Sequence, residues 1–155
     1  MRFAADCMLG KLAKWLRLMG QDTIYLTKPE MKKIKAVLDD GRVFLTRNTR
    51  LYEFLVEKLC TEDDIYLVQA NLPAEQLKEV ALRFKIPLTR SFKLCCVCNF
   101  PIKRVSRDIV KDLVPQYIYN THKTFYFCSK CGRVYWPGSH AKRISETLAN
   151  LLPVE

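Results

Sequence analysis

Four cysteines near the end of the chain stand in two matched pairs, Cys95-Cys96-Val97-Cys98 and Cys128-Ser129-Lys130-Cys131. The outer cysteines of each pair have C-x-x-C spacing, which lets two thiolates on one tight turn reach the same ion. Two such turns build a closed tetrahedral site. The ligand set is Cys95, Cys98, Cys128 and Cys131. All four positions are sulfur, so no coordination position is left open for chemistry, and the expected occupant is a structural Zn²⁺ that contributes to folding. A dithiol redox role needs only one pair, and two matched pairs favour metal. Cys96 is a fifth cysteine inside the first turn, and geometry favours the outer pair over it.

The pairs also divide the chain. Residues 1–92 alternate short apolar runs with helical periodicity, whereas residues 93–155 lose most helix signals and gain the cysteines. A 155-residue chain has room for one medium domain and one small one. Half of the residues are hydrophobic (49%), enough for a core, yet the longest apolar runs fall far short of a membrane span. The opening Met1-Arg2-Phe3-Ala4-Ala5-Asp6 meets charge too early for a secretory signal. These features lead to the expectation of a soluble, cytoplasmic protein whose remaining cysteines, Cys7 and Cys60, are core thiols. The net charge is +10. Residues 1–92 carry 16 Lys+Arg against 12 Asp+Glu, or +4, and the remainder 10 against 4, or +6. Such a balance favours nucleic acid as partner.

Within residues 1–92, strands are expected at Phe3–Ala5, Thr23–Leu26, Val43–Leu45 and Ile65–Val68. Helices are expected from Met8 to Met19, from Pro29 to about Leu38 with Glu30 in its first turn, from Leu51 to Leu59, and from Ala74 to Phe84. In the first helix Leu9, Leu12, Ala13, Leu16 and Met19 share a face, with Lys11, Lys14 and Arg17 opposite. Gly20 suits the left-handed residue after a helix. Leu51, Phe54, Leu55 and Leu59 share one side of the third helix. Strands alternating with helices imply parallel pairing through right-handed crossovers, an α/β fold with helices flanking a parallel sheet. Beyond Pro87, Tyr117-Ile118-Tyr119 and Phe125-Tyr126-Phe127 have strand-and-loop composition, and Ser145 to Leu152 is expected to form a short terminal helix.

Ligands of parallel α/β sheets bind beyond the carboxyl ends of the strands. Asp6 follows the first strand, Asn48 follows the third, and Glu30 opens the helix between them. Carboxylates gathered there would hold Mg²⁺ or Mn²⁺, which activates water and stabilises a displaced phosphate oxygen. Each residue also has a purely structural role open to it. Asp6 and Asn48 suit helix caps, and Glu30 suits the positive end of a helix dipole.

The stretch Asp6-x-Met8-Leu9-Gly10-Lys11-Leu12-Ala13-Lys14-Trp15-Leu16-Arg17-Leu18-Met19-Gly20-x-Asp22-Thr23 resembles the opening of the Mut-seven C-terminal RNase domain. Gly41-Arg42-Val43-Phe44-Leu45-Thr46-Arg47 is similar to that family as well, and so is the ending Cys128-x-x-Cys131-Gly132-Arg133-Val134-Tyr135-Trp136-Pro137-Gly138-Ser139-His140. The resemblance spans nearly the whole chain. It implies a PIN-like nuclease domain at residues 1–92 with a zinc ribbon at 93–155, and a metal-dependent ribonuclease whose acidic residues bind Mg²⁺ or Mn²⁺. By position, Asp6 matches the first acid of such a site, and Glu30 falls where the second, usually Asp, opens the next helix. Asn48 departs from the family, which has Asp there in a Thr-Arg-Asp turn. Arg50 stands where relatives of the fold often carry another acid.

Two functions follow as expectations. The first is an endoribonuclease, with Asp6 and Glu30 holding the ion and Asn48 as a weak third ligand or water-positioner. Lys11, Lys14, Arg17, Arg47 and Arg50 would grip the RNA backbone, and the basic ribbon would add affinity. The second is a catalytically inactive RNA-binding or assembly protein that lost its chemistry at position 48. Tyr117, Tyr119, Tyr126, Tyr135 and Trp136 would serve either as ribbon core or as stacking platforms for unpaired bases. His140 suits a structural hydrogen bond. Phosphate contacts do not distinguish RNA from DNA, so DNA stays open as a partner.

Overall fold

The structure is a computed structural model that describes residues 1–138, 142, 143, 146 and 150. The expected terminal helix from Ser145 to Leu152, and His140, lie outside the described residues. The first part runs β1 (Arg2–Ala5), a single 3-10 turn (Cys7–Leu9), α1 (Gly10–Leu18), β2 (Asp22–Tyr25), α2 (Met31–Asp39), β3 (Val43–Thr46), α3 (Thr49–Lys58), β4 (Ile65–Leu67) and α4 (Pro73–Phe84). The four strands are all parallel, in the order β2-β1-β3-β4.

The period of two along each strand explains the layering. Phe3 and Ala5 point into one core with Leu45, and Ala4 points into the other with Phe44. The first core is closed by α1 and α4 through Leu12, Leu16, Leu77 and Val80, and the second by α2 and α3 through Ile34 and Leu55. Each of these side chains is fully buried, worth about 1.5–3 kcal/mol apiece. A sheet covered on both faces needs continuous apolar strands, and Phe3-Ala4-Ala5 and Val43-Phe44-Leu45 are such strands.

The order of strands creates a switch point. The helix that leaves β1 packs on one face and the helix that leaves β3 packs on the other, so a crevice opens between them at the carboxyl ends of β1 and β3.

The second part is a three-stranded antiparallel sheet of β5 (Lys103–Val105), β6 (Phe125–Phe127) and β7 (Val134–Tyr135), in that order. Between β5 and β6 lie two short helices, α5 (Arg107–Val110) and α6 (Gln116–Thr121). The aromatic run Tyr117-Ile118-Tyr119 is therefore helical rather than extended. Pro115 caps α6, and Arg107 reaches over the Tyr119 ring (4.4 Å) and donates to its carbonyl (2.5 Å). Such tertiary contacts override a β-leaning composition.

Four further expectations are corrected. Cys7 is exposed and Cys60 half-buried, so neither is a core thiol. Phe54 and Leu59 are exposed, because α3 presents chiefly Leu55 to the core. Glu30 is the cap of α2, one position before its first turn. The Met8–Met19 helix begins as a 3-10 turn because Asp6 caps Cys7 rather than a full α-turn.

Candidate functional site

Asp6 sits at the switch point. Its main-chain N–H donates to Leu45 O across the sheet (2.9 Å), which ties it to the end of β3. The residue is 2% exposed, and both carboxylate oxygens have partners. The Cys7 N–H donates to Oδ1 (2.6 Å), and the Thr46 hydroxyl donates to Oδ2 (2.7 Å). Thr46 Oγ1 accepts in turn from the Asn48 N–H (3.0 Å). A relay thus joins Asp6, Thr46 and Asn48 over the carboxyl ends of β1 and β3. Thr46 was missed in the sequence, where it read only as the residue that follows the third strand. The available signal was a hydroxyl residue at the last position of a buried strand.

Asn48 caps α3, its Oδ1 accepting from the Leu51 N–H (3.1 Å). The amide oxygen that could meet a cation thus already accepts one hydrogen bond from the helix and keeps one lone pair. Glu30 is exposed and faces its own Lys33 at 3.7 Å. Among the described residues, no three acidic side chains come together; the one cluster with metal-binding geometry is the cysteine set. Mg²⁺ is usually held by one or two carboxylates together with waters and substrate phosphates rather than by an all-protein cage, and Glu30 and Asn48 stand at the starts of α2 and α3. The Asp6 carboxylate still has lone pairs beyond the two it uses.

Of the basic residues, Lys11, Lys14 and Arg50 are exposed, and Arg47 is half-buried with its guanidinium on Asn71. Arg17 is not on a solvated face. It is 7% exposed and donates to Thr23 O (2.8 Å), Cys96 O (3.0 Å) and Val97 O (2.9 Å). Burial lowers its pKa, partly offset by the cysteines nearby. It joins α1 to the first cysteine turn and is unavailable to phosphate.

Asn99 completes this junction from a left-handed backbone (φ 60°). Its Oδ1 accepts from the Thr23 N–H (3.1 Å) and its Nδ2 donates to Asp22 (2.6 Å). Asp22 also receives a two-pronged bond from the buried Arg42 (2.8 and 3.0 Å). Ser91 N–H donates to Leu18 O (2.8 Å), beside Gly20. A Cβ on Gly20 would lie 2.9 Å from Ser91 Oγ, and its φ of 78° excludes most side chains in any case. These contacts fall at the end of α1 and the start of β2, so the first cysteine turn docks at the amino end of β2, the end of the strands away from Asp6.

Cys95, Cys98, Cys128 and Cys131 bring their sulfurs within 4.8 Å of one another. Cys95–Cys131 is 3.6 Å and Cys98–Cys128 is 3.5 Å. Four thiolates about 2.3 Å from one Zn²⁺ would stand about 3.8 Å apart, so both the donor set and the spacing fit. The cluster could hold a metal ion such as zinc. Burial resists ionisation of Cys95, but hydrogen bonds from the Tyr135 hydroxyl and the Cys98 and Val97 amides bring its thiol down to about 6. Burial, and then the neighbouring sulfurs, push Cys98 up to about 12. A dication bound here would favour the thiolate form of the cysteines that ligate it. Cys96 stays outside the set, packed against the first core with its Sγ 3.6 Å from the Tyr135 hydroxyl.

The family model described as Mut7-C RNAse domain matches residues 1–148 of the 155. The chain belongs to the Mut7-C RNAse domain family. No curated protein and no solved structure gives a significant match. Membership of this family indicates a nuclease-like function with a nucleic acid as substrate. No described helix is long and apolar enough to cross a membrane.

Proposed function

We propose that the chain is a weakened ribonuclease that acts on RNA phosphodiesters at the β1/β3 crevice, with Asp6 as its essential acid. One observation carries this reading: Asp6 lies buried at the switch point of a parallel sheet and is oriented by the Thr46 hydroxyl at 2.7 Å. A carboxylate held there can orient a water or accept its proton. The exposed Lys11, Lys14 and Arg50, with Arg47, supply the charge that attracts an RNA backbone. A neutral amide at position 48 weakens any Mg²⁺ or Mn²⁺ held at this edge by Asp6 and Glu30, and the exposed Glu30–Lys33 pair at 3.7 Å is too weak to withhold Glu30. The cysteine cluster holds a structural Zn²⁺, and residues 1–92 and 93–155 form the nuclease-like and ribbon domains.

Asn48→Asp tests this reading without disturbing the fold, because Asn and Asp cap helices equally well. Cleavage of a labelled RNA in Mn²⁺ is expected to rise in Asn48→Asp and to vanish in Asp6→Asn. A second reading, an inactive RNA-binding protein, is favoured by the use of Asn48 Oδ1 as a cap. Salt-dependent RNA binding with no cleavage by wild type or by Asn48→Asp would establish that reading and end the first.

A further inference from the structure

A second candidate site lies on the small sheet, away from Asp6. Phe100, Pro101, Lys103, Val105, Phe127 and Ser129 line an open groove of about 460 Å³. Its size falls in the range of small-ligand sites, about 300–1,000 Å³. Antiparallel register sets Lys103 directly opposite Phe127, so ring and ammonium stand side by side on one face. Phe100 is 41% exposed, a large apolar ring left in water. Lys130 places its ammonium 6.0 Å from the centre of that ring. Neither Lys103 nor Lys130 forms an ion pair among the described residues, and no acidic residue lines the groove. The other face of the same sheet is consumed by packing: Tyr126 stacks on Phe92 at 4.6 Å, and Tyr135 bonds Cys95 at 2.9 Å.

We propose that this groove binds single-stranded nucleic acid, with an unpaired base stacked on Phe100 and Phe127 and its phosphates held by Lys103 and Lys130. The combination of π-faces with cations that have no acidic partner among the described residues is the chemistry of a single strand, because bases offer faces only when unpaired. An acidic peptide would match the lysines and leave the rings unused. A duplex would match the lysines and hide its bases. The inference rests on the reading of the chain as an RNA-directed protein and adds a contact independent of the Asp6 edge. Phe100 and Pro101 directly follow the first cysteine turn, and Ser129 and Lys130 lie inside the second, so the two turns hold the groove's rim in place.

The test is fluorescence anisotropy on the zinc-loaded full chain, with a labelled ten-nucleotide single-stranded RNA and a duplex of the same sequence. Phe100→Ala is expected to weaken single-strand binding about tenfold and to leave duplex binding unchanged. Phe100→Trp is expected to restore it. Lys103→Gln is expected to reduce the slope of affinity against salt by about 1. Circular dichroism and zinc content check that each variant is folded.

Equal single-strand affinity in Phe100→Ala overturns the proposal. So do an equal loss on the duplex, displacement by polyglutamate as effective as by RNA, and a wild type that binds no single strand. Failure here is separable from failure of the ribonuclease reading. Asp6-dependent cleavage with unchanged binding by Phe100→Ala defeats only the groove. Weakened binding by Phe100→Ala with no cleavage by any form defeats only the nuclease.

Discussion

Arg17→Met should undo the junction between the two sheets. The guanidinium is 7% exposed and makes three bonds, to Thr23 O, Cys96 O and Val97 O, at 2.8–3.0 Å. A hydrogen bond from a charged donor is worth about 1.5–3 kcal/mol, and each carbonyl left buried without a partner costs about 1–3 kcal/mol. The terms overlap, since both describe the same bonds, and removing Arg also relieves the cost of burying its charge. A net loss of about 3–5 kcal/mol follows, the range for breaking a buried charged network. That is a large part of the roughly 5–15 kcal/mol that holds a domain together. For a chain of this size it lowers Tm by about 10 °C. Urea unfolding of the zinc-loaded protein measures it, with Lys14→Met, an exposed lysine on the same helix, as a control expected within about 0.5 kcal/mol of wild type. Arg17→Lys should recover only a minor part, because a single ammonium nitrogen cannot stand at both the Nε and Nη1 positions that reach Thr23 O and the cysteine turn. Two of those carbonyls belong to the first cysteine turn, so Arg17→Met should also release zinc faster to a chromogenic chelator. A Tm within 2 °C of wild type, with unchanged zinc release, would refute this account of the junction.

Elemental analysis should find one zinc per chain, and Cys128→Ser, which removes a fully buried ligand, should abolish it and unfold the small sheet. Thr46→Val should strip Asp6 Oδ2 of its donor and leave the Asn48 N–H unpaired, lowering stability by about 1–3 kcal/mol and reducing any Asp6-dependent cleavage. The pKa of Asp22 is lowered, chiefly by its bond with Arg42, despite burial. A carboxyl whose folded pKa lies below the unfolded value contributes stability above that unfolded value, near 3.9, and loses it as pH falls through the folded one. Asp22→Asn should therefore destabilise the protein at pH 7 and flatten its stability profile in acid.

The layers of the fold were legible because periodicity reports burial. Phe3-Ala4-Ala5 and Val43-Phe44-Leu45 are short continuous apolar runs of the kind a strand buried on both faces needs, and each occupies the centre of the sheet. Spacing likewise sufficed for the four-cysteine cluster, since two residues between thiols fix the turn. The aromatic run at 117–119 misled, because Tyr and Ile favour strands in general while Arg107 and Pro115 favour a helix at this place. Arg17 misled more seriously. On a helical wheel it shares the charged side with Lys11 and Lys14, and only the docked cysteine turn makes that side an interior.

Sequence alone determined that the chain would hold a parallel sheet between helices, a four-sulfur cluster and an acid after the first strand, because each is written in the spacing of neighbouring residues. Tertiary structure decided which polar groups meet. It bonded Thr46 to Asp6, spent the Asn48 oxygen on a helix cap, buried Arg17 against the cysteine turn and left Phe100 bare beside Lys130. Those pairings join residues brought together by strand order and sheet docking, and a long-range meeting of this kind leaves no period in the chain.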